Sequence, residues 1–160
     1  MSRRRVSIAL TLALAGSLLL GAPARAAQPD LVGTRTLATK HSFDALVARI
    51  EAAVEKNKMG LVAQASASRG AAGRGVKIAG NAVLMVFRND YAVRMLQASV
   101  PAGIEAPLRV YVTENADGSA SLTYRTPSAV FAPYKNDELD ELAKELDPIF
   151  ERIVRDASGG

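Results

Sequence analysis

The chain has 160 residues, 49% of them hydrophobic, with 20 Lys and Arg against 16 Asp and Glu, a formal net charge of +4 and no cysteine. That length is one ordinary domain with room for a sizeable core. The absence of cysteine excludes disulfides, thiolate metal ligands, thioether-linked haem and thiol nucleophiles. The basicity is local: Arg3, Arg4, Arg5 and Arg25 lie in the first 26 residues, which hold no acid, and the rest of the chain is balanced. A balanced chain argues against nucleic acid as a partner, because such binding rests on many Lys and Arg contacts to phosphate.

Residues 1–26 read as an export signal. Arg3–Arg5 form a positive n-region, Val6–Leu20 is an apolar run, and Pro23 with Ala24-Arg25-Ala26 supplies a helix break and an A-x-A cleavage site. Cleavage there releases a chain beginning at Ala27, periplasmic or secreted. The apolar run is shorter than the ~20 residues that span a bilayer, so no stable membrane anchor is expected. Leu18-Leu19-Leu20-Gly21-Ala22 is followed by no cysteine, which excludes lipidation there. The paired arginines leave the export route open between twin-arginine and general secretion, and Val6-Ser7 favours the general route.

Residues 27–35 form a leader, polar over Ala27–Asp30, and residues 36–160 a single domain. Leu31–Lys40, rich in Val, Thr and Leu, predicts a first strand. Ser42 is placed to cap a helix, its hydroxyl accepting from a first-turn amide, with Asp44 favouring the positive end of the dipole. Phe43, Leu46, Val47, Ile50 and Val54 recur at steps of three and four, one stripe of an amphipathic helix. Gly60 is placed to supply the left-handed residue after it.

Leu61–Ser68, mostly small residues, reads as a strand. Arg69–Gly75 is a glycine-rich connection, either a short helix or a mobile loop. Ala82–Phe87 is apolar without alternation, as expected for a strand buried in the sheet centre. Asp90–Ser99 predicts a short helix with Val93 and Leu96 inward, stopped before Pro101. Leu108, Val110 and Val112 alternate with Arg109, Tyr111 and Thr113 in a half-buried strand. Asp117-Gly118 is turn chemistry, and Ser119–Thr126 returns as the hairpin partner. The apolar Thr126–Tyr134 either fills the core or folds over the sheet edge as a lid.

Residues 137–157 are helical in period. Leu139, Leu142 and Leu146 form one stripe and Ile149, Ile153 and Val154 another. Pro148 predicts a break into two helices, with Asp147 as the second N-cap. Separate helices and a hairpin imply an α+β fold: a two-layer domain, its antiparallel-rich sheet carrying helices on one face.

From Thr39-Lys40-His41-Ser42-Phe43-Asp44 onward the chain resembles the "domain of unknown function 302" family. The match runs through Lys58-Met59-Gly60, Val83–Phe87 and Ala106-Pro107-Leu108-Arg109-Val110. It continues in Glu114, Asp117-Gly118 and Leu122-Thr123-Tyr124, spanning roughly residues 36–134. The resemblance implies a two-layer α/β domain, often dimeric, with no established activity. It also implies an Asp-His pair after the second strand and Gly-Asn-Pro after the central strand, where this chain reads Ser66-Ala67 and Arg88-Asn89-Asp90.

Candidate chemistry is sparse. His41, the only histidine, stands where a strand meets a helix N-terminus; it is either a general acid/base or a residue that fixes the junction. There is no G-x-S-x-G elbow and no paired-histidine spacing, so neither a serine triad nor a transition-metal site is indicated, and no cofactor is expected. Gly70, Gly73 and Gly75 match neither a dinucleotide fingerprint nor a Walker loop, although Arg69, Arg74 and Lys77 around them are candidates for an anion-binding loop. Arg109 and Tyr111 face away from Val110, and Tyr124 joins one sheet face or the other according to register. An open face mixing aromatics and a guanidinium suits a homodimer interface or a small-molecule site. The reading is an exported, non-enzymatic binding or dimerising module. Its rival is a periplasmic enzyme using His41 beside the Arg109/Tyr111 face.

Overall fold

The computed structural model describes residues 31–159; the expected export signal, its cleavage site and the first four residues of the 27–35 leader lie outside them, while the leader's last two, Thr34 and Arg35, already belong to the first strand. The elements run β1 (Thr34–Ala38), α1 (Phe43–Lys56), β2 (Gly60–Ala65), α2 (Ala67–Ala72), β3 (Asn81–Phe87) and α3 (Asn89–Ala98). After a 3-10 turn over Val100–Glu105 follow β4 (Leu108–Glu114), β5 (Ala120–Arg125), α4 (Pro127–Phe131), a second 3-10 turn and α5 (Asp137–Ser158). The five strands form one sheet in the order β1-β5-β4-β3-β2, every neighbouring pair antiparallel. β1 and β2 are its two edges, so α1 carries the chain across the sheet from one edge to the other.

α1 and α5 supply most of the second layer. The α1 stripe of Phe43, Leu46, Val47, Ile50 and Val54 is buried as its period requires, against Leu84, Val86, Val110, Val112 and Leu122 of the strands. Leu108, Val110 and Val112 are buried while Arg109 and Tyr111 are exposed, so β4 alternates as its sequence does. The domain is α+β, with two layers and a largely uncovered second sheet face.

Several local expectations are corrected. Ser42 takes the N-cap position, but its exposed side chain makes no cap bond; the buried Phe43 beside it fixes the helix start instead. Lys58, not Gly60, is left-handed after α1 (φ 58), with Met59 N–H donating to Val54 and Lys58 N–H to Glu55. Gly60 already belongs to β2, where a Cβ would lie 3.2 Å from the Phe87 carbonyl. The predicted strand over Leu61–Ser68 ends at Ala65, because the Ser66 hydroxyl caps α2 by accepting from Arg69 N–H. β3 is apolar from Ala82 onward yet alternates in burial: Ala82, Leu84 and Val86 face the helices, and Val83, Met85 and Phe87 the other side.

In α3 the inward residue is Met95, with Tyr91 one turn earlier partly buried; Val93 and Leu96 are exposed. The 3-10 turn after α3 lies against Leu96, where a Cβ on Gly103 would fall 2.9 Å from Leu96 Cδ2. The two expected C-terminal helices are one. α5 continues through Pro148 and buries nine side chains from Leu139 to Ala157 on one stripe. Proline inside a helix costs about 3 kcal/mol, which this burial offsets at roughly 1.5–3 kcal/mol for each large side chain. Asp147 is spent elsewhere, its carboxylate accepting from Ser128 N–H and Ser128 Oγ–H of α4. The Thr126–Tyr134 segment fills the core, with Val130 and Phe131 buried.

Candidate functional site

The register of β4 and β5 decides which side chains share the open face. Val110 pairs with Tyr124 and Tyr111 with Thr123, so Tyr124 lies on the helix side with Val110. It is buried there and stacks on Phe150 of α5, ring centroids 6.3 Å apart. Burial above all, helped by Glu151, pushes its hydroxyl pKa up. The residues that do join Arg109 and Tyr111 are Thr123 and Arg125 from β5 and, across the edge pairing, Thr36 and Thr34 from β1. Thr36 and Thr123 hydroxyls hydrogen-bond at 2.9 Å.

Where β4 begins and β5 ends, Arg109, Tyr111, Thr123, Arg125 and Thr34 border a groove of about 220 Å3, closed by Leu31, Glu105, Leu108, Val130 and, from the helix side, Tyr124. Its electrostatics are uneven. Glu105 Oε1 accepts from the Tyr134 hydroxyl at 3.2 Å, and its other oxygen lies 3.9 Å from Arg109 Nη2. Desolvation, and then this bond to Glu105, raises the Tyr134 pKa. Arg125 donates Nη2–H to the Ala129 carbonyl at 2.9 Å. Its Nε and the Thr34 hydroxyl, directly opposed across β1 and β5, are buried with no hydrogen-bond partner among the described residues. Such a buried unsatisfied group costs about 1–3 kcal/mol.

Gly33 holds this edge in place. Its φ is +74, and a Cβ would fall 2.0 Å from Ala129 Cβ, so the chain entering β1 lies hard against α4. Thr126 N–H donates to the Gly33 carbonyl, completing the contact.

The remaining candidates lie elsewhere. His41 follows Thr39, whose N–H donates to the Ala120 carbonyl at the far end of β5 from Arg125. About 17 Å of strand separates those ends at ~3.4 Å per residue. A Cβ on Gly159 would sit 3.5 Å from His41 Nε2 and 3.4 Å from Arg49 Nη2, so His41 borders the end of α5. Arg69 is engaged with Asp44 at 3.3 Å and lies over the Phe43 ring. Arg74 and Lys77 stand exposed in the following connection. Among the described residues no three His, Asp or Glu side chains gather as metal ligands, and no helix is long and apolar enough to cross a membrane.

A family model, "Domain of unknown function DUF302", matches residues 35–157. The chain belongs to this family. The match reaches past the segment that carried the sequence resemblance and takes in nearly all of α5. An uncharacterized conserved DUF302 protein from Bacillus stearothermophilus has a similar crystal structure. Its TM-score is 0.70 at 16% identity, over 79% of this chain and 98% of that one. At that identity the likeness is one of DUF302 fold. No curated protein matches the chain significantly.

Sequence reasoning missed Thr34, Glu105, Thr123 and Arg125 as neighbours of Arg109 and Tyr111. The signal was the hairpin: counting outward from Asp117-Gly118 gives the β4–β5 register and with it Thr123. Thr34 and Glu105 arrive from an edge pairing and a 3-10 turn that leave no periodic trace.

Proposed function

We propose that this DUF302 protein is exported and works as a non-catalytic module that self-associates through its open sheet face. The observation that carries this reading is the composition of that face. An antiparallel sheet exposed on one side ordinarily alternates apolar-in and polar-out, yet here Val83, Met85 and Phe87 stand half-buried on the open side beside an exposed Tyr111. Tyrosine and methionine flanked by arginine are the residues enriched at the centre of protein interfaces. The frequent dimers that the family resemblance implies agree with it. A reaction uniting His41 with Arg109 and Tyr111 has less support, since the register sets them at opposite ends of β5.

Sedimentation of the protein tests the reading. A dimer at micromolar concentration is expected, and Tyr111→Ala should weaken association at least tenfold, as for interface anchors of this type. A monomer at all concentrations would sink self-association. Export is tested separately by N-terminal sequencing of material from outside the cytoplasm, which should begin at Ala27; retention of Met1 would refute it.

A further inference from the structure

The geometry points to a binding site for a small organic monocarboxylate in the groove between Arg109 and Arg125. This goes beyond self-association and does not depend on it. The groove, at about 220 Å3, is smaller than the ~300–1,000 Å3 of sites for drug-sized ligands, so its occupant is a molecule of few heavy atoms. Its walls are divided. Leu108 and Val130 give an apolar side, suited to a short hydrocarbon chain.

The other side carries Arg125, the Thr34 hydroxyl and Arg109, whose hydrogen-bonding capacity is only partly used. Arg125 Nε–H and the Thr34 hydroxyl are buried, opposed and unpartnered among the described residues. The Arg109 side chain is 63% exposed, and its guanidinium meets the distant oxygen of Glu105 at 3.9 Å. An acceptor oxygen brought to this wall would meet the exposed Arg109 side chain, and the covered Arg125 Nε–H and Thr34 hydroxyl behind it would gain a partner once a side-chain shift uncovers them. The planar fork of a guanidinium matches the two oxygens of a carboxylate in one plane.

The charge count selects a monoanion. Two guanidinium groups and the Glu105 carboxylate leave one net positive charge around the groove. A carboxylate neutralises it, whereas a phosphate monoester would add a second negative charge beside Glu105.

Calorimetric titration of the protein with acetate, butyrate and hexanoate tests the site, with 1-butanol and butyl phosphate as controls. Saturable binding of one butyrate per chain is expected, stronger than acetate, with no binding of 1-butanol. Arg109→Gln should weaken butyrate at least tenfold, the scale of a lost charged hydrogen bond, with its melting temperature nearly unchanged. Arg125→Gln should do the same; if it fails to fold, Arg109→Gln decides alone. Three results would overturn the site: no saturable carboxylate binding, affinity unchanged in Arg109→Gln, or tighter binding of butyl phosphate. Sedimentation of the same samples separates the two proposals. A monomer that binds butyrate sinks self-association and keeps the site; a dimer that binds no carboxylate does the reverse.

Discussion

Arg49 and Arg125 each reach a main-chain carbonyl of a neighbouring helix, and they differ in what is left over. Arg49, on α1, donates Nε–H to the Ala157 carbonyl at 2.6 Å and Nη2–H to the Asp156 carbonyl at 3.1 Å. Those are orphan acceptors of the last turn of α5, so this guanidinium closes a helix end. Around it Asp156 accepts from Lys56 and Asn57, and the polar groups at this end of the helix layer are matched. Arg125 gives one N–H to Ala129 and keeps Nε–H buried without a partner. One residue type is used up on structure in one region and left partly unused in the other. A fold whose helix layer is satisfied carries its unmet polar capacity at the rim of the open sheet face.

The largest expected effect lies in the helix layer. Phe150 is fully buried against Tyr124, and Phe150→Ala should cost about 3–5 kcal/mol, read as a denaturant midpoint shift at unchanged slope. A loss below about 1 kcal/mol would mean that the layer is not the stable region.

Next comes a direct break of the arginine comparison. Arg49→Ala removes two charged hydrogen bonds to the end of α5 and should cost about 1.5–3 kcal/mol. Arg109→Gln, at an exposed position of the open face, should change stability by no more than about 0.5 kcal/mol. Equal losses in denaturant melts would erase the distinction between the two regions.

Ser42→Ala should fall within about 0.5 kcal/mol, since the hydroxyl makes no cap bond. Thr126→Ala, which removes the hydroxyl that accepts from Ala129 N–H, should cost about 1 kcal/mol. Thermal melts of both variants rank the caps.

The smallest effect is a pH dependence. The hydrogen bonds from Lys56, then from Asn57, hold the Asp156 carboxyl below its ordinary 3.8. A carboxyl lowered on folding stabilises the protein above its unfolded pKa, and that contribution is lost as pH falls through the folded value. Melting temperature should therefore decline below about pH 4, and Lys56→Met should make that decline shallower. An acid limb identical in the variant would remove Asp156 from the account.

How much of this was legible depended on how local the signal was. The α1 stripe, the β4 alternation and the Asp117-Gly118 hairpin were readable because each is written in neighbouring residues at a fixed period. The break at Pro148 was misread for the opposite reason. A proline penalty is local, but the burial that outweighs it needs the sheet to be present. Val93 and Leu96 looked inward by spacing, yet α3 turns Met95 to the core because it packs on α5 and on its own 3-10 turn.

The sequence by itself determined the layer plan, most element positions and the family, since periodicity, turn residues and motif order are properties of consecutive residues. The tertiary structure alone decided the site. β1 and β4 are both neighbours of β5 but remote from each other in sequence, so only sheet pairing brings Thr34 and Arg109 to the groove at opposite sides of Arg125. Register then fixed the faces. Because side chains alternate with a period of two, one pairing, Val110 with Tyr124, sent Tyr124 into the core and left Arg125 with Arg109 on the open side.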